Sequence, residues 1–161
     1  EYVTLVHGDF KAMNVFLPLM QEKKEEAERA MPIDFQWTGV GDAMLDVAQH
    51  LYHSVSLEAM EHGGEEELLE YYHAELCACL PPEAAGRYPI AVARQHYQWA
   101  ILDYARVIFG KFWRNKTPKA METSKGNMNA TLLGRSLPCA LRFVQRVGEC
   151  VAAVELEMAR A

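Results

Sequence analysis

The chain has 161 residues, half of them hydrophobic and 24% charged, a balance that excludes disordered, collagen-like and low-complexity classes and gives a single domain enough chain for a core. Its net charge is −6, from 16 basic and 22 acidic residues, and no basic stripe marks it as a nucleic-acid binder that works by neutralising phosphates. No apolar run approaches the roughly 20 residues of a membrane span, and the four cysteines, Cys77, Cys79, Cys139 and Cys150, are too few for a disulfide scaffold and read as reduced thiols.

The chain opens on Glu1 rather than Met and runs at once into Tyr2–Val6. That start reads as a cut through a longer polypeptide. Tyr2–Val6 is β-branched and aromatic and predicts a strand. Val15–Leu17 and Met31–Phe35 predict two more. Between the last two, Gln21–Ala30 carries seven charges in ten residues and reads as a solvated loop or a short exposed helical turn. After Gly41 the period changes. Asp42 is placed to cap a helix to about Val55, with Leu45, Ala48, Leu51 and Tyr52 on its apolar face. A second helix is expected from Glu65 to Leu80, preceded by Gly63-Gly64 and ended by Pro81-Pro82. A third, from about Tyr88 to Trp113, is apolar on several faces and predicts a central buried helix. Arg114–Asn127 is basic and polar and reads as an exposed loop. Ser136-Leu137-Pro138 opens a final helix to about Arg160. The expected fold is α+β and mostly α. It is a single domain over 1–161, with a short β-rich segment over 1–41 followed by a helical bundle over 42–161.

The segment His7-Gly8-Asp9-Phe10-Lys11-Ala12-Met13-Asn14 carries the chemistry. It lies between two predicted strands, which fixes both ends of the loop. Its spacing, His-x-Asp-x-Lys-x-x-Asn, parallels the catalytic loop of protein kinases, where Asp is the base and Asn a Mg²⁺ ligand. Twenty residues after Asn14 comes Asp34, an acid expected at the end of an apolar strand, where a kinase carries its metal-binding Asp. Phosphoryl transfer needs a carboxylate to orient and deprotonate the acceptor hydroxyl, and oxygen ligands to hold Mg²⁺ on the phosphates. Asp9 supplies the first, Asn14 and Asp34 the second. Lys11 is placed to neutralise charge on the transferred phosphoryl.

With these residues the segment resembles the large lobe of the small-molecule kinases: aminoglycoside phosphotransferases, choline kinases and the ecdysteroid-kinase-like (CHK kinase-like) group. His7-Gly8-Asp9 matches their catalytic loop, and Asp34-Phe35-Gln36 is similar to the metal motif of the CHK-like group. Trp37–Gly41, Asp46-Val47-Ala48 and Glu70–His73 are also similar to that group. The resemblance is strong over residues 1 to about 55. It implies a protein-kinase-like large lobe, ATP and Mg²⁺ as cofactors and a hydroxylated small molecule as acceptor; the expected location is cytoplasmic. It also implies that Asp46 bonds the backbone of the catalytic loop and that His7 organises that loop. A kinase further needs a Gly-rich turn over the phosphates and a strand Lys. Neither is in the sequence, so the expected partner is an N-terminal lobe in cis, and the 161 residues alone are expected to be inactive. The second hypothesis is a non-catalytic pseudokinase remnant acting as a helical binding module.

Other constellations are weaker. Asp46, His50 and His53 share a helix face at metal-ligand spacing, but Asp46 is committed elsewhere. Glu70-x-x-His73 is one half of a di-iron repeat that needs two copies. Trp99, Tyr104, Phe109, Phe112 and Trp113 read as core, while Tyr97, Trp99 and Asp103 are candidates to touch the acceptor. The basic stretch Lys111–Lys119 reads as solvated, with contact to an anionic ligand as the sharper alternative.

Overall fold

Thr4, Leu5 and Val6 are extended, and Thr4–Val6 forms β1. Its partner is β4, Gly39–Gly41, paired antiparallel with Thr4 opposite Gly41 and Val6 opposite Gly39. The sequence pattern predicts no strand over Gly39–Gly41; these residues form one because the β1 edge supplies their hydrogen bonds. A second ribbon joins β2, Val15–Phe16, to β3, Met31–Pro32, also antiparallel, with Val15 opposite Pro32. The protein is a computed structural model that describes residues 2–17, 30–127 and 130–160. The charged stretch Gln21–Ala30 therefore lies, except for Ala30, outside the described residues.

Asp42 caps α1, Ala43–Ser54, its carboxylate accepting from the Met44 amide at 2.8 Å. Ala48, Leu51 and Tyr52 are buried as expected, but Leu45 is exposed; Met44 and Val47 fill the buried stripe instead. A short α2, Leu57–Met60, leads to α3, Gly64–Cys79. Pro82 does more than end α3. With its fixed φ it opens a five-residue α4, Pro82–Gly86. The central helix α5, Ile90–Val107, starts after Pro89 rather than at Tyr88, because the residue before a proline avoids helical angles. It buries Ala93, Tyr97, Ala100, Ile101 and Ala105, a helical stripe, against α1 and α8.

The chain then widens into a π-helical turn, Ile108–Phe112. This turn shifts the phase of Phe109, Phe112 and Trp113 relative to Trp99 and Tyr104 on α5. Tyr104 and Trp113 stay partly buried, whereas Trp99, Phe109 and Phe112 are exposed and are not core. The basic stretch expected as loop contains α6, Pro118–Thr123, capped by the Thr117 hydroxyl. After α7, Leu132–Arg135, the long α8, Leu137–Met158, opens on the Ser136 cap. Phe143 of α8 is fully buried and contacts the rings of Tyr52, Tyr104, Phe109 and Trp113 at centroid distances of 4.8 to 6.3 Å. The fold is α+β and mostly α, with the β1–β4 ribbon laid against the N-terminal helix of a helical body through β1. All four cysteines are unpaired.

Candidate active site

The loop after β1 runs along one face of α1 and is fastened to it at successive turns. The Asp46 carboxylate accepts from the His7 amide at 2.6 Å and from the Gly8 amide at 2.9 Å. One turn later the Gln49 side-chain carbonyl accepts from the Phe10 amide at 3.1 Å, and His50 Nδ1 meets the Phe10 carbonyl at 3.2 Å. Another turn on, the Ser54 hydroxyl accepts from the Ala12 amide at 2.8 Å. Residues 46, 49, 50 and 54 are neighbours on a helix because its period is 3.6. Four of the loop's backbone donors, the His7, Gly8, Phe10 and Ala12 amides, are thus satisfied by one rigid element.

Gly8 is required by the turn. Its φ is +79°, and a Cβ there would lie 2.3 Å from the Trp37 carbonyl oxygen. His7 is buried, and its Nε2 is 2.8 Å from the Ile33 carbonyl. A carbonyl only accepts, so Nε2 carries the proton and Nδ1 is left to accept from the Asp9 amide at 3.3 Å. The ring packs on Phe10 and Phe35, 5.5 and 4.9 Å between centroids. His7 therefore ties the loop to the second motif.

Asp9 sits in the middle of a hydrogen-bonded set. Gln49 Nε2 donates to its Oδ1 at 3.1 Å, and Asn14 Nδ2 donates to its Oδ2 at 3.2 Å and to its backbone carbonyl at 2.9 Å. Lys11 Nζ pairs with Oδ2 at 2.5 Å. Asn14 is buried at the end of a short 3-10 turn, Ala12–Asn14. Its backbone carbonyl accepts from the Ile33 amide at 2.9 Å, which brings it beside the second motif. Asp34 follows in the left-handed conformation, φ 65°. The expected strand stops at Pro32, because left-handed Asp34 turns the chain into a 3-10 turn over Phe35–Trp37. Its carboxylate is exposed and makes no hydrogen bond or ion pair with the described residues. An uncommitted carboxylate beside a buried Asn fits Mg²⁺, which takes one or two protein ligands and completes its shell with phosphate and water. Among the described residues no group of three or more His, Cys, Asp or Glu side chains is arranged to hold a metal, which leaves the Asp46–His50–His53 face without that role.

Asp9 and Lys11 open on a cavity of about 420 Å³ walled by β1, α1, α5 and the π-helical turn. Apolar side chains, Leu45, Val107 and Phe112 among them, form much of its lining, and Gln49, His53, Asp103 and Tyr104 add polar groups. Of the three acceptor-contact candidates, Asp103 lines this cavity. Tyr97 is buried in the core and Trp99 stacks on His96, 5.4 Å between centroids, so neither lines it. Burial first, and the Asp9 carboxylate second, hold the Tyr104 phenol above its ordinary range. Burial, reinforced by Lys11, lowers His53 to about 4, so it is a neutral imidazole at pH 7. Gln49, Ser54 and His53 were not singled out as loop supports or acceptor contacts by the sequence reading, and only the helix period counted from Asp46 could have found them. A larger cavity, about 520 Å³ between β1, α3 and α4, contains none of the motif residues.

A short β segment carrying His7-Gly8-Asp9, Asn14 and Asp34 over a helical body is consistent with a kinase-like fold. The model of the ecdysteroid kinase-like family matches residues 1–82, half of the 161, and the chain belongs to that family. No match was found among the curated proteins or the solved structures. The family is one of kinase-like phosphotransferases. Among the described residues no helix is long and apolar enough to cross a membrane.

Proposed function

We propose that this chain is the acceptor- and metal-binding lobe of an ATP- and Mg²⁺-dependent phosphotransferase that acts on a hydroxyl group of a small molecule. The observation that carries the reading is the Asp9 carboxylate, held by Gln49 and Asn14, at the wall of a cavity of about 420 Å³. Asp9 takes the hydroxyl proton as the acceptor oxygen bonds to the γ-phosphorus, and ADP leaves with the electrons of the broken P–O bond. Asn14 and Asp34 are the metal ligands. Bound Mg²⁺ supplies charge neutralisation and alignment of the phosphates. Lys11 is paired with Asp9 in this structure, so its role toward the phosphoryl group requires it to exchange that partner for the phosphate.

The reading also needs a glycine-rich turn over the phosphates and a strand lysine, which an N-terminal lobe in cis would provide. Its location would be the cytoplasm, where ATP is supplied. The test is Mg²⁺-dependent transfer from ATP to a panel of hydroxylated metabolites by a chain that includes such a lobe. Asp9→Asn is expected to lower kcat by about 100-fold or more, the usual worth of a general base, and Asp34→Asn to raise the Mg²⁺ requirement. Wild-type turnover in Asp9→Asn would sink the assignment. Absence of Mg²⁺-ATP binding would favour the non-catalytic binding module.

A further inference from the structure

The proposed transfer takes Lys11 away from Asp9, and the carboxylate then has to keep its place with fewer partners. Its two oxygens are held from different sides. Oδ2 carries Lys11 at 2.5 Å and Asn14 at 3.2 Å. Oδ1 carries Gln49 alone among the described residues, at 3.1 Å. Asn14 also donates to the Asp9 backbone carbonyl, at the shorter distance of 2.9 Å, so the backbone sets its amide first. A carboxylate held through one oxygen is free to pivot, and one held through both is not.

The Gln49 amide has one orientation. Its Oε1 accepts from the Phe10 amide at 3.1 Å, and a backbone N–H only donates, so Nε2 is the end that faces Asp9. Turning the amide over would set N–H against N–H and oxygen against oxygen. Its stem rises from α1 between Asp46, which holds His7 and Gly8, and Ser54, which holds Ala12. The carboxylate is thereby referenced to the same helix as its loop. Gln49 is uncharged, so it directs the carboxylate without cancelling the charge that draws a proton.

We infer that Gln49 is a positioning residue for the transfer, keeping the Asp9 carboxylate fixed at the cavity wall while Lys11 is on the phosphate. The inference rests on the phosphotransfer reading for Asp9 as the base and for the departure of Lys11. The proton still passes from the acceptor hydroxyl to Asp9, and Gln49 gives up and takes up none. With Lys11 gone, Asn14 on Oδ2 and Gln49 on Oδ1 remain, one contact on each oxygen. Without Gln49 the carboxylate would hang from Asn14 alone and swing about its side-chain bonds, and misplacing a reacting group by about 1 Å is enough to cost a large part of a rate.

The experiment uses the isotopically labelled 161-residue chain and no ATP, so that its outcome is independent of turnover. Three-bond Hα–Hβ couplings of Asp9 report whether its χ1 stays in one staggered well or averages over several. Lys11→Met stands in for a lysine that has left for the phosphate. Asp9 is expected to keep a single rotamer in Lys11→Met and to lose it when Gln49→Leu is added. Ser54→Ala added to Lys11→Met removes a loop fastening that does not touch the carboxylate, and Asp9 is expected to keep its rotamer there. Averaging in Lys11→Met alone overturns the inference, because Gln49 would then not hold the carboxylate. A single rotamer with Gln49→Leu added overturns it too, because Asn14 would then suffice. So does averaging with Ser54→Ala added, because any loosening of the loop would then free Asp9. If the Gln49→Leu chain fails to fold by circular dichroism, Gln49→Asn, whose amide is one methylene short of Asp9, takes its place with the same two outcomes. Phosphotransfer that survives Asp9→Asn would defeat the functional reading and leave the anchoring of Asp9 as measured.

Discussion

At the scale of single residues, backbone geometry and burial set what the site tolerates. Gly8 and Gly63 both have positive φ, +79° and +96°, so alanine is strained at either. They differ in surroundings. A Cβ at Gly8 meets the Trp37 carbonyl at 2.3 Å, whereas nothing lies within 4 Å of one at Gly63. Gly63→Ala is therefore expected to cost about 1 kcal/mol, and Gly8→Ala about 3 kcal/mol or more, by urea denaturation. Equal costs would mean that the Trp37 turn moves away freely. His53 adds a pH term. Its folded value is near 4 against 6.5 for a free imidazole, so between pH 6.5 and 4 the unfolded chain takes up a proton that the folded chain refuses. Stability from this group is fully present above pH 6.5 and is lost as pH falls toward 4, by about 3 kcal/mol at most. His53→Leu is expected to flatten the slope of unfolding free energy over that window. An unchanged slope would show that other groups carry it.

At the scale of elements, α1 is the rail on which the loop is laid. Its acceptors for the loop's amides come from Asp46, Gln49 and Ser54 in order along its axis. Asp46→Asn removes a charged acceptor shared by two amides and is expected to cost about 1.5–3 kcal/mol, with faster hydrogen exchange at His7 and Gly8. Ser54→Ala removes one neutral bond, is expected to cost about 0.5–1.5 kcal/mol, and should speed exchange at Ala12 alone. Uniform exchange changes in both variants would mean that the loop opens as one piece. This rail also shows how far the sequence could be read. Asp42 as cap and the motif residues Asp9, Asn14 and Asp34 announce themselves by type and spacing, while Asp46 as anchor and His7 as organiser of the loop are what the family resemblance implies. Gln49 and Ser54 do not, because a polar residue on a helix face looks the same whether it meets solvent or a loop. The long helices were legible from apolar period and caps. β4 was not, since Gly39-Val40-Gly41 has little strand propensity and is extended only because β1 lies beside it. The short α2, α4, α6 and α7 are single turns set by local caps and prolines, below the length at which periodicity speaks.

At the scale of the whole molecule, α1, which walls the site, is locked to α3 and α8 by a buried acid that composition disguised. Glu65, Glu66 and Glu67 follow one another at the start of α3 and read alike as a solvated run. Packing separates them. Glu65 is 7% exposed and accepts from the Tyr52 hydroxyl of α1 at 2.8 Å and from Arg146 and Arg142 of α8 at 3.0 and 3.3 Å. Glu66 pairs with Arg94 at the half-exposed rim. One carboxylate thus joins α1, α3 and α8 around the aromatic cluster at Phe143, and α1 in turn carries the loop. Replacing it leaves two guanidinium groups with, among the described residues, only the more exposed Glu149 as an acidic partner, 3.5 Å from each. A buried pair that loses one partner costs far more than the pair is worth, because the remaining charge is uncompensated. Glu65→Gln is accordingly expected to lower unfolding free energy by about 3–5 kcal/mol, and Glu66→Gln by less than about 1 kcal/mol, both by urea denaturation at neutral pH. The Glu65 variant should also speed exchange at the Phe10 and Ala12 amides, whose acceptors Gln49 and Ser54 sit on α1. A loss of stability without that faster exchange would show that α1 holds the His7–Asn14 loop even when its grip on α3 and α8 is released.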